Sequence, residues 1–391
     1  MNFQSPDAGV SPTQSGGPKI ELPTKPRILI VKMWAIGDVL LATPLLRALK
    51  RGYPGCKITW LVDKRYADVL EGNPLIDEVI AFDSGNWRAA FRRGKIASYL
   101  RISNVLVRDL KDRKFDVAIN LAGEKWWAVW FNIAPIKIGL FPRPRVGVMG
   151  RLYTRAIPRN LNPRQHNSHH YLLPAEELGI PGPYEERIVI GIHEPGAKAA
   201  AEFLNARAGY DAKKPLIVLH PGASQESKRW PAKSFAEVAD LLRDRYNIVI
   251  TGSPSERPLA EEIASAMSSE TPPIISSGAL SGILETGALV QKAVAVVTGD
   301  TSILHIASAL GTPVVAIYGS TRPGDNAPLY GSHRLLYGEN IPCAPCYQAN
   351  CRFQGEDRLR CLHTVTAEQV VSALNELLSE TKAPSQDKVL T

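Results

Sequence analysis

Short runs of consecutive apolar residues alternate with segments whose apolar positions recur at helical spacing, and this happens twice along the 391-residue chain. The first series opens with Arg27–Lys32 (RILIVK), a Gly37-Asp38 turn and a helical-period stretch over Val39–Arg51. It continues through Lys57–Val62 (KITWLV), Glu78–Phe82 (EVIAF) and Asp116–Asn120 (DVAIN). A run that is apolar throughout, without polar alternation, marks a strand covered on both faces, as parallel strands are. A Gly/Ala/Lys/Pro-rich connection over 191–215 follows, and then the pattern restarts. Leu216–His220 (LIVLH), Asn247–Thr251 (NIVIT), Ala293–Thr298 (AVAVVT) and Val314–Tyr318 (VVAIY) are strands, with helices expected over Ser234–Tyr246, Pro258–Met267 and Ser302–Leu310. The expectation is an α/β protein of two Rossmann-like, doubly wound domains, with a ligand cleft at the strand carboxyl ends. Its units are an arm over 1–25, a first domain over 26–190, a linker over 191–215 and a second domain over 216–365. A helix over 366–380 and a tail over 381–391 complete the chain.

Composition narrows the class. Hydrophobic residues make up 45% of the chain and charged residues 21%, which excludes a disordered or collagen-like polymer. No stretch reaches the ~18 uninterrupted apolar residues of a spanning helix. Met1–Pro26 is rich in Ser, Gly and Pro and lacks an apolar signal core, so a soluble intracellular protein is expected. Five cysteines in a chain of this length do not make a disulfide scaffold.

The net charge of +8 is regional. Residues 86–114 carry +7 and residues 125–175 carry +8, which leaves −7 for the rest. Such a field favours an anionic partner: nucleic acid, a membrane surface or a phosphorylated substrate. Arg88, Arg92, Arg93 and Lys95 lie in a segment where Trp87, Phe91, Tyr99, Ile102, Leu106 and Leu110 recur at helical spacing. This is read as one basic amphipathic helix, either touching lipid head groups or an anionic acceptor, or simply solvated. Nucleic acid is disfavoured, because no helix-turn-helix, zinc-finger or RNP-type signature accompanies the charge.

Four motifs carry chemistry. Asp38 stands at the turn after the first strand, where it either caps a helix or reaches a substrate hydroxyl as a base. The loop His220-Pro-Gly-Ala-Ser224-Gln-Glu-Ser-Lys228-Arg-Trp-Pro231 offers backbone N–H groups, the Ser224 hydroxyl and the Lys228 ammonium to phosphate oxygens. It lacks the Gly-Lys-Ser/Thr ending of a Walker A loop. In Thr298-Gly-Asp300-Thr301-Ser302-Ile-Leu-His305 a strand gives way to a helix whose first N–H groups form an anion site. His305 lies one turn in, as a ligand contact or a packed core residue. Cys343, Cys346, Cys351 and Cys361 fall within nineteen residues, a spacing open to structural zinc or iron or to disulfides.

Together these segments resemble the lipopolysaccharide heptosyltransferases of glycosyltransferase family 9 from Arg27 to about Leu378. The anchors are RILIVKMWAIGDVLLATPLLRALK, HPGASQESKRWP and TGDTSILHIASALGTPVVAIYGST. The resemblance implies a GT-B fold, with the acceptor on the N-terminal domain and the nucleotide sugar on the C-terminal one. It implies inverting transfer without a cofactor or a metal at the reaction centre, with Asp38 as the base. Donor binding is implied for Ser224, Lys228, Asp300, Thr301, Ser302 and His305, and more weakly for Glu256. Ala223 and Ser302 depart from the family's usual hydroxylated residue and glycine at those positions. The implied donor is ADP-heptose or another ADP-sugar. The implied acceptor is an anionic glycolipid of the lipid A–Kdo type, met at the cytoplasmic face of the inner membrane. A nucleotide-sugar epimerase of the same fold, or a non-catalytic membrane-surface nucleotide binder, are the alternatives.

Overall fold

The computed structural model describes residues 19–121, 133–142, 146–147, 150–159, 165–192, 194–269, 271–280 and 282–382. It holds two six-stranded parallel sheets. The first takes β1 Arg27–Val31, β2 Lys57–Asp63, β3 Glu78–Phe82, β4 Val117–Asn120, β5 Ile136–Pro142 and β6 Arg155–Arg159 in the order β3-β2-β1-β4-β5-β6. The second takes β7 Leu216–His220, β8 Asn247–Ile250, β9 Ile274–Ile275, β10 Ala295–Gly299, β11 Val314–Tyr318 and β12 His333–Tyr337 in the order β12-β11-β10-β7-β8-β9. Both are the 3-2-1-4-5-6 Rossmann order, so the expectation of two doubly wound domains in a GT-B arrangement holds. The central strands are buried on both faces, which is why they read as uninterrupted apolar runs: Ile28–Val31 in β1 and all of β7, β10 and β11 are covered.

The longer helices are α1 Ile36–Ala42, α2 Pro44–Gly52, α3 Ser84–Arg92, α4 Ile96–Asp112, α5 Asn167–Glu177, α6 Glu194–Asn205, α7 Ala232–Leu242, α8 Arg257–Ala266, α9 Ile283–Lys292, α10 Ser302–Leu310 and α11 Ala367–Lys382. α1 from the first domain packs on α10 from the second. Gly37 permits that approach, since a Cβ there would stand 3.1 Å from His305 Cδ2. The carboxyl ends of β1, β7 and β10, with Asp38 in the first turn of α1 and the segments that carry Lys228 and Asp300, therefore meet at the junction of the two sheets.

Several expectations change. The segment 191–215 is not a bare linker, because α6 occupies Glu194–Asn205 and packs on α9. Part of the arm over 1–25 is ordered, with Ile20 buried in the first core, while residues 1–18 lie outside the described residues. The single basic helix is two, separated by Gly94 in the left-handed region at φ 66°. Of the basic stretch 125–175, residues 125–132, 143–145, 148–149 and 160–164 lie outside the described residues, as do 383–391 of the tail. Among the described residues no helix is long and apolar enough to cross a membrane.

Candidate active site

On the first domain the site begins where β1 ends. Lys32, buried directly after the strand, places Nζ 3.0 Å from Asp38 Oδ2 and 5.6 Å from the centre of the Tyr171 ring. Burial alone would lower the Lys32 pKa, but Tyr171 and the Asp38 carboxylate outweigh it, and the ammonium is held above its ordinary value. Asp38 is not the helix cap. That position belongs to Ala35, and no side chain caps the first turn. The Asp38 side chain is 41% exposed, and its Oδ1 makes no hydrogen bond among the described residues. One carboxylate oxygen is thus anchored and the other is open to a substrate hydroxyl. Ala35 itself has φ 64°, a conformation that costs a residue with a Cβ about 1–3 kcal/mol.

On the second domain, Lys228 Nζ lies 2.6 Å from Asp300 Oδ2, and the Thr321 hydroxyl donates to the same oxygen at 2.8 Å. Asn326 Nδ2 approaches Asp300 Oδ1 at 3.4 Å. Burial would raise the Asp300 pKa, yet the Lys228 ammonium beside it holds the carboxyl below the ordinary carboxylate range. Two glycines let the Lys228 loop sit flat on the sheet: a Cβ on Gly299 would meet the Lys228 carbonyl oxygen at 2.8 Å, and one on Gly319 the Ser227 carbonyl oxygen at 2.6 Å. Ser227 is buried, and its hydroxyl donates to the Gln348 carbonyl at 2.5 Å.

Thr301 precedes α10 with an extended backbone and does not cap it; its hydroxyl lies 3.1 Å from that of Thr298. The N–H groups at the start of α10, from Ser302 onward, are therefore left by side chains to an anion. His305 is buried at the domain contact, and burial pushes its pKa down to about 4, so the ring is neutral. Its Nδ1 has no hydrogen-bond partner among the described residues. Glu256 accepts from the Ser253 N–H at 2.7 Å and hydroxyl at 2.8 Å through Oε2, while Oε1 lies against Gly222, where a Cβ would come within 2.1 Å. Ser224 is exposed on the same loop.

The four basic residues expected to act together separate into two places. Arg88 bonds the Ser84 carbonyl at 3.2 Å and lies 5.3 Å from the Trp34 ring, in the loop leading to Asp38. Ser84 in turn donates to Asp63, which Arg65 grips at 2.8 Å. Arg92, Arg93 and Lys95 lie exposed at the α3–α4 turn instead. The apolar stripe of Trp87, Leu106 and Leu110 is core, so the solvated or lipid-facing side of this segment is a different one.

All four clustered cysteines are free thiols, and among the described residues no group of three or more His, Cys, Asp or Glu side chains is placed to hold a metal ion. The structural zinc or iron considered for them does not fit the arrangement. Burial first, and then the neighbouring sulfurs, push the Cys361 thiol up to about 11. The loop's observed contacts brace the Lys228 segment: the Ala349 carbonyl accepts from Ser227 N–H at 3.2 Å, and Glu226 accepts from Cys351 N–H at 3.3 Å and pairs with Arg358.

Sequence reasoning missed Lys32, Thr321, Asn326 and the pair His166–Asn167. Lys32 had a signal, a cation closing a fully apolar strand. The others join elements distant in sequence: Asn167 Nδ2 donates to Asn326 Oδ1 at 2.7 Å, and the His166 ring meets the Ala327 carbonyl at 2.9 Å, both across the domain junction.

The chain is similar to lipopolysaccharide heptosyltransferase 3 of Escherichia coli K12, 28% identical over 358 residues, 90% of this chain and 98% of that protein. A solved glycosyl transferase family 9 protein of Veillonella parvula superposes with a TM-score of 0.77 at 25% identity, over 93% of this chain and 100% of that one. An E. coli heptosyltransferase solved with ADP has the same fold, with a TM-score of 0.66 at 22% identity over 90% of this chain and 99% of that one. Residues 104–356, more than half of the chain, match glycosyltransferase family 9 (heptosyltransferase). The chain is a glycosyltransferase and belongs to glycosyltransferase family 9.

Proposed function

We propose that this enzyme moves a heptose from ADP-heptose to an anionic lipopolysaccharide-core acceptor with inversion at the anomeric carbon. The observation that carries the reading is the facing pair of charged sites: Asp38 tethered by Lys32 on one domain, and Lys228 with the α10 amino terminus on the other. Asp38 Oδ1 accepts the proton of the acceptor hydroxyl as its oxygen attacks the face opposite the departing diphosphate. The transition state is oxocarbenium-like, and charge accumulates on the leaving nucleoside diphosphate. Lys228 and the N–H groups at Thr301–Ser302 stabilise that charge, and Glu256 and Ser224 border the same loop where the rest of the donor lies. His305, neutral, fills the seam between the two sites.

The relatives' names and the ADP complex of the E. coli heptosyltransferase support the donor and acceptor classes. Arg88, beside Trp34, is placed to meet a phosphate or carboxylate of the acceptor, which the enzyme meets at the cytoplasmic face of the inner membrane. The test is a donor screen by thermal shift and mass spectrometry with ADP-heptose, other ADP-sugars, UDP-sugars and GDP-sugars, with EDTA-treated enzyme in parallel. ADP-heptose is expected to stabilise most and to yield the glycosylated acceptor, with EDTA without effect. Asp38→Ala is expected to lower kcat by about 10²–10⁴ with ADP affinity kept. Near-normal kcat in that variant refutes the base assignment.

A further inference from the structure

We infer that the α3–α4 hairpin is a lipid-docking element that inserts Phe91, Ile96 and Leu100 at the surface of an anionic bilayer. Each of these three side chains exposes half or more of its surface, although Trp87, Leu106 and Leu110 of the same helices are buried in the core. Single exposed apolar residues are ordinary, but eleven large ones are exposed among the described residues and three of them fall within 91–100. Phe91, whose ring lies 5.3 Å from that of Tyr99, and Ile96 and Leu100, one turn apart on α4, form a second apolar stripe beside the core-facing one.

Its surroundings select the partner. Arg92, Arg93, Lys95, Arg101 and Arg108 flank the stripe, all exposed, and none forms an ion pair among the described residues. No acidic residue occurs between Asn86 and Arg108. Apolar side chains ringed by unpaired cations suit the boundary of head groups and acyl chains in an anionic membrane, whereas an interface between two copies would press these cations together.

Length fixes where the bilayer would lie. α4 has 17 residues, about 26 Å, and returns the chain to β4, whose four residues span about 13 Å. The start of α4 and the turn at Arg92–Lys95 therefore project on the order of 10 Å beyond the carboxyl edge of the sheet. Asp38 lies at that same edge, and Arg88 with Trp34 occupies the ground between. A membrane touching the hairpin presents its head groups to the cleft. This deepens the acceptor reading above, and because lipid binding is measured without sugar transfer, the two stand or fall separately.

The full-length protein is sedimented with vesicles of phosphatidylglycerol and phosphatidylethanolamine, and with vesicles of phosphatidylcholine. Binding is expected only to the anionic vesicles. The variant R92Q/R93Q/K95Q should bind of order 100-fold more weakly, from roughly 1 kcal/mol per cation. The variant F91S/I96S/L100S should lose most binding, including the part that resists high salt. Leu241→Ser, an exposed apolar residue on the second domain, should bind as the parent does. Unchanged ADP affinity and thermal unfolding show that each variant is folded. The inference is overturned if the parent ignores anionic vesicles, or if both triple variants bind normally. It is also overturned if the parent is a dimer that the apolar triple variant converts to monomer with vesicle binding intact.

Discussion

The Lys228–Asp300 pair offers the sharpest test of how the donor site is built. At 2.6 Å, and with side chains only 18% and 3% exposed, the two charges attract by about 6 kcal/mol at an effective dielectric of 20, most of which offsets their desolvation. Breaking such a pair leaves a buried charge and costs about 3–5 kcal/mol. Lys228→Met should cost more than Asp300→Asn, because it strands the more deeply buried partner, while the amide oxygen introduced by Asp300→Asn can still accept from Thr321. In the double variant the stranded charge is gone, so the combined loss should fall short of the sum by about 2 kcal/mol. In a domain of this size the Lys228→Met loss amounts to a fall of about 10 °C in Tm. Differential scanning calorimetry of the four proteins without ligand reads the cycle, and titration calorimetry with ADP reads the site. Asp300→Asn should weaken ADP about tenfold, because the ammonium loses its anchor. The pH dependence has a definite sign. The Asp300 contribution is present above its unfolded pKa, is lost as pH falls through the lowered folded value, and should move to higher pH in Lys228→Met. Additive single effects, or unchanged ADP affinity in Asp300→Asn, would refute the role given to this carboxylate.

Three further outcomes are expected. Lys32→Met should lower kcat at least tenfold with ADP affinity unchanged, and Lys32→Arg should restore part of it; steady-state kinetics beside calorimetry separates this from a folding defect. Ala35→Gly should raise stability by about 1 kcal/mol by relieving the left-handed backbone at φ 64°, read as a higher urea midpoint. His305 and His170 are both pushed by burial to about 4, so the unfolded chain binds protons that the native one refuses. Stability should fall as pH drops below 6.5, by about 2 kcal/mol per histidine at pH 5, and a flat urea midpoint between pH 7 and pH 5 would contradict their burial.

What the sequence disclosed follows from what each segment touches. β1, β2, β7, β10 and β11 are covered on both faces, so their burial is written as consecutive apolar residues. β5 (IKIGLFP) and β6 (RAIPR) lie toward one edge, and their Lys, Gly, Pro and Arg hide the strand. That Asp38, Lys228 and Asp300 follow strand carboxyl ends was legible from the strand pattern, and in a doubly wound sheet those ends are where loops meet ligands. Their partners were not, since Thr321 and Asn326 reach Asp300 only after β11 has been laid beside β10. The helical period of 87–110 disclosed one apolar stripe and left open which face the sheet would cover. It also could not separate Arg88, turned inward to Trp34, from Arg92 one turn later.

The polar contacts at the domain junction tie the two halves of the reaction together. Asn167 of the first domain bonds Asn326, Asn326 approaches Asp300, and Asp300 holds Lys228. Each of the two asparagine contacts contributes only about 1 kcal/mol net, beside a buried apolar cluster that holds residues of both domains. An ammonium carries three N–H groups, and Asp300 takes one, which leaves two for phosphate oxygens. A free lysine at this place would sample many rotamers, and binding a diphosphate would have to order it. Asp300 supplies that order beforehand, and Asn326 makes it sensitive to where the acceptor domain sits. The carboxylate also repels the incoming diphosphate, and the open N–H groups of α10 offset that repulsion from the other side. An acidic residue buried within an anion-binding site is therefore consistent with its task, provided that it touches the lysine and not the phosphate.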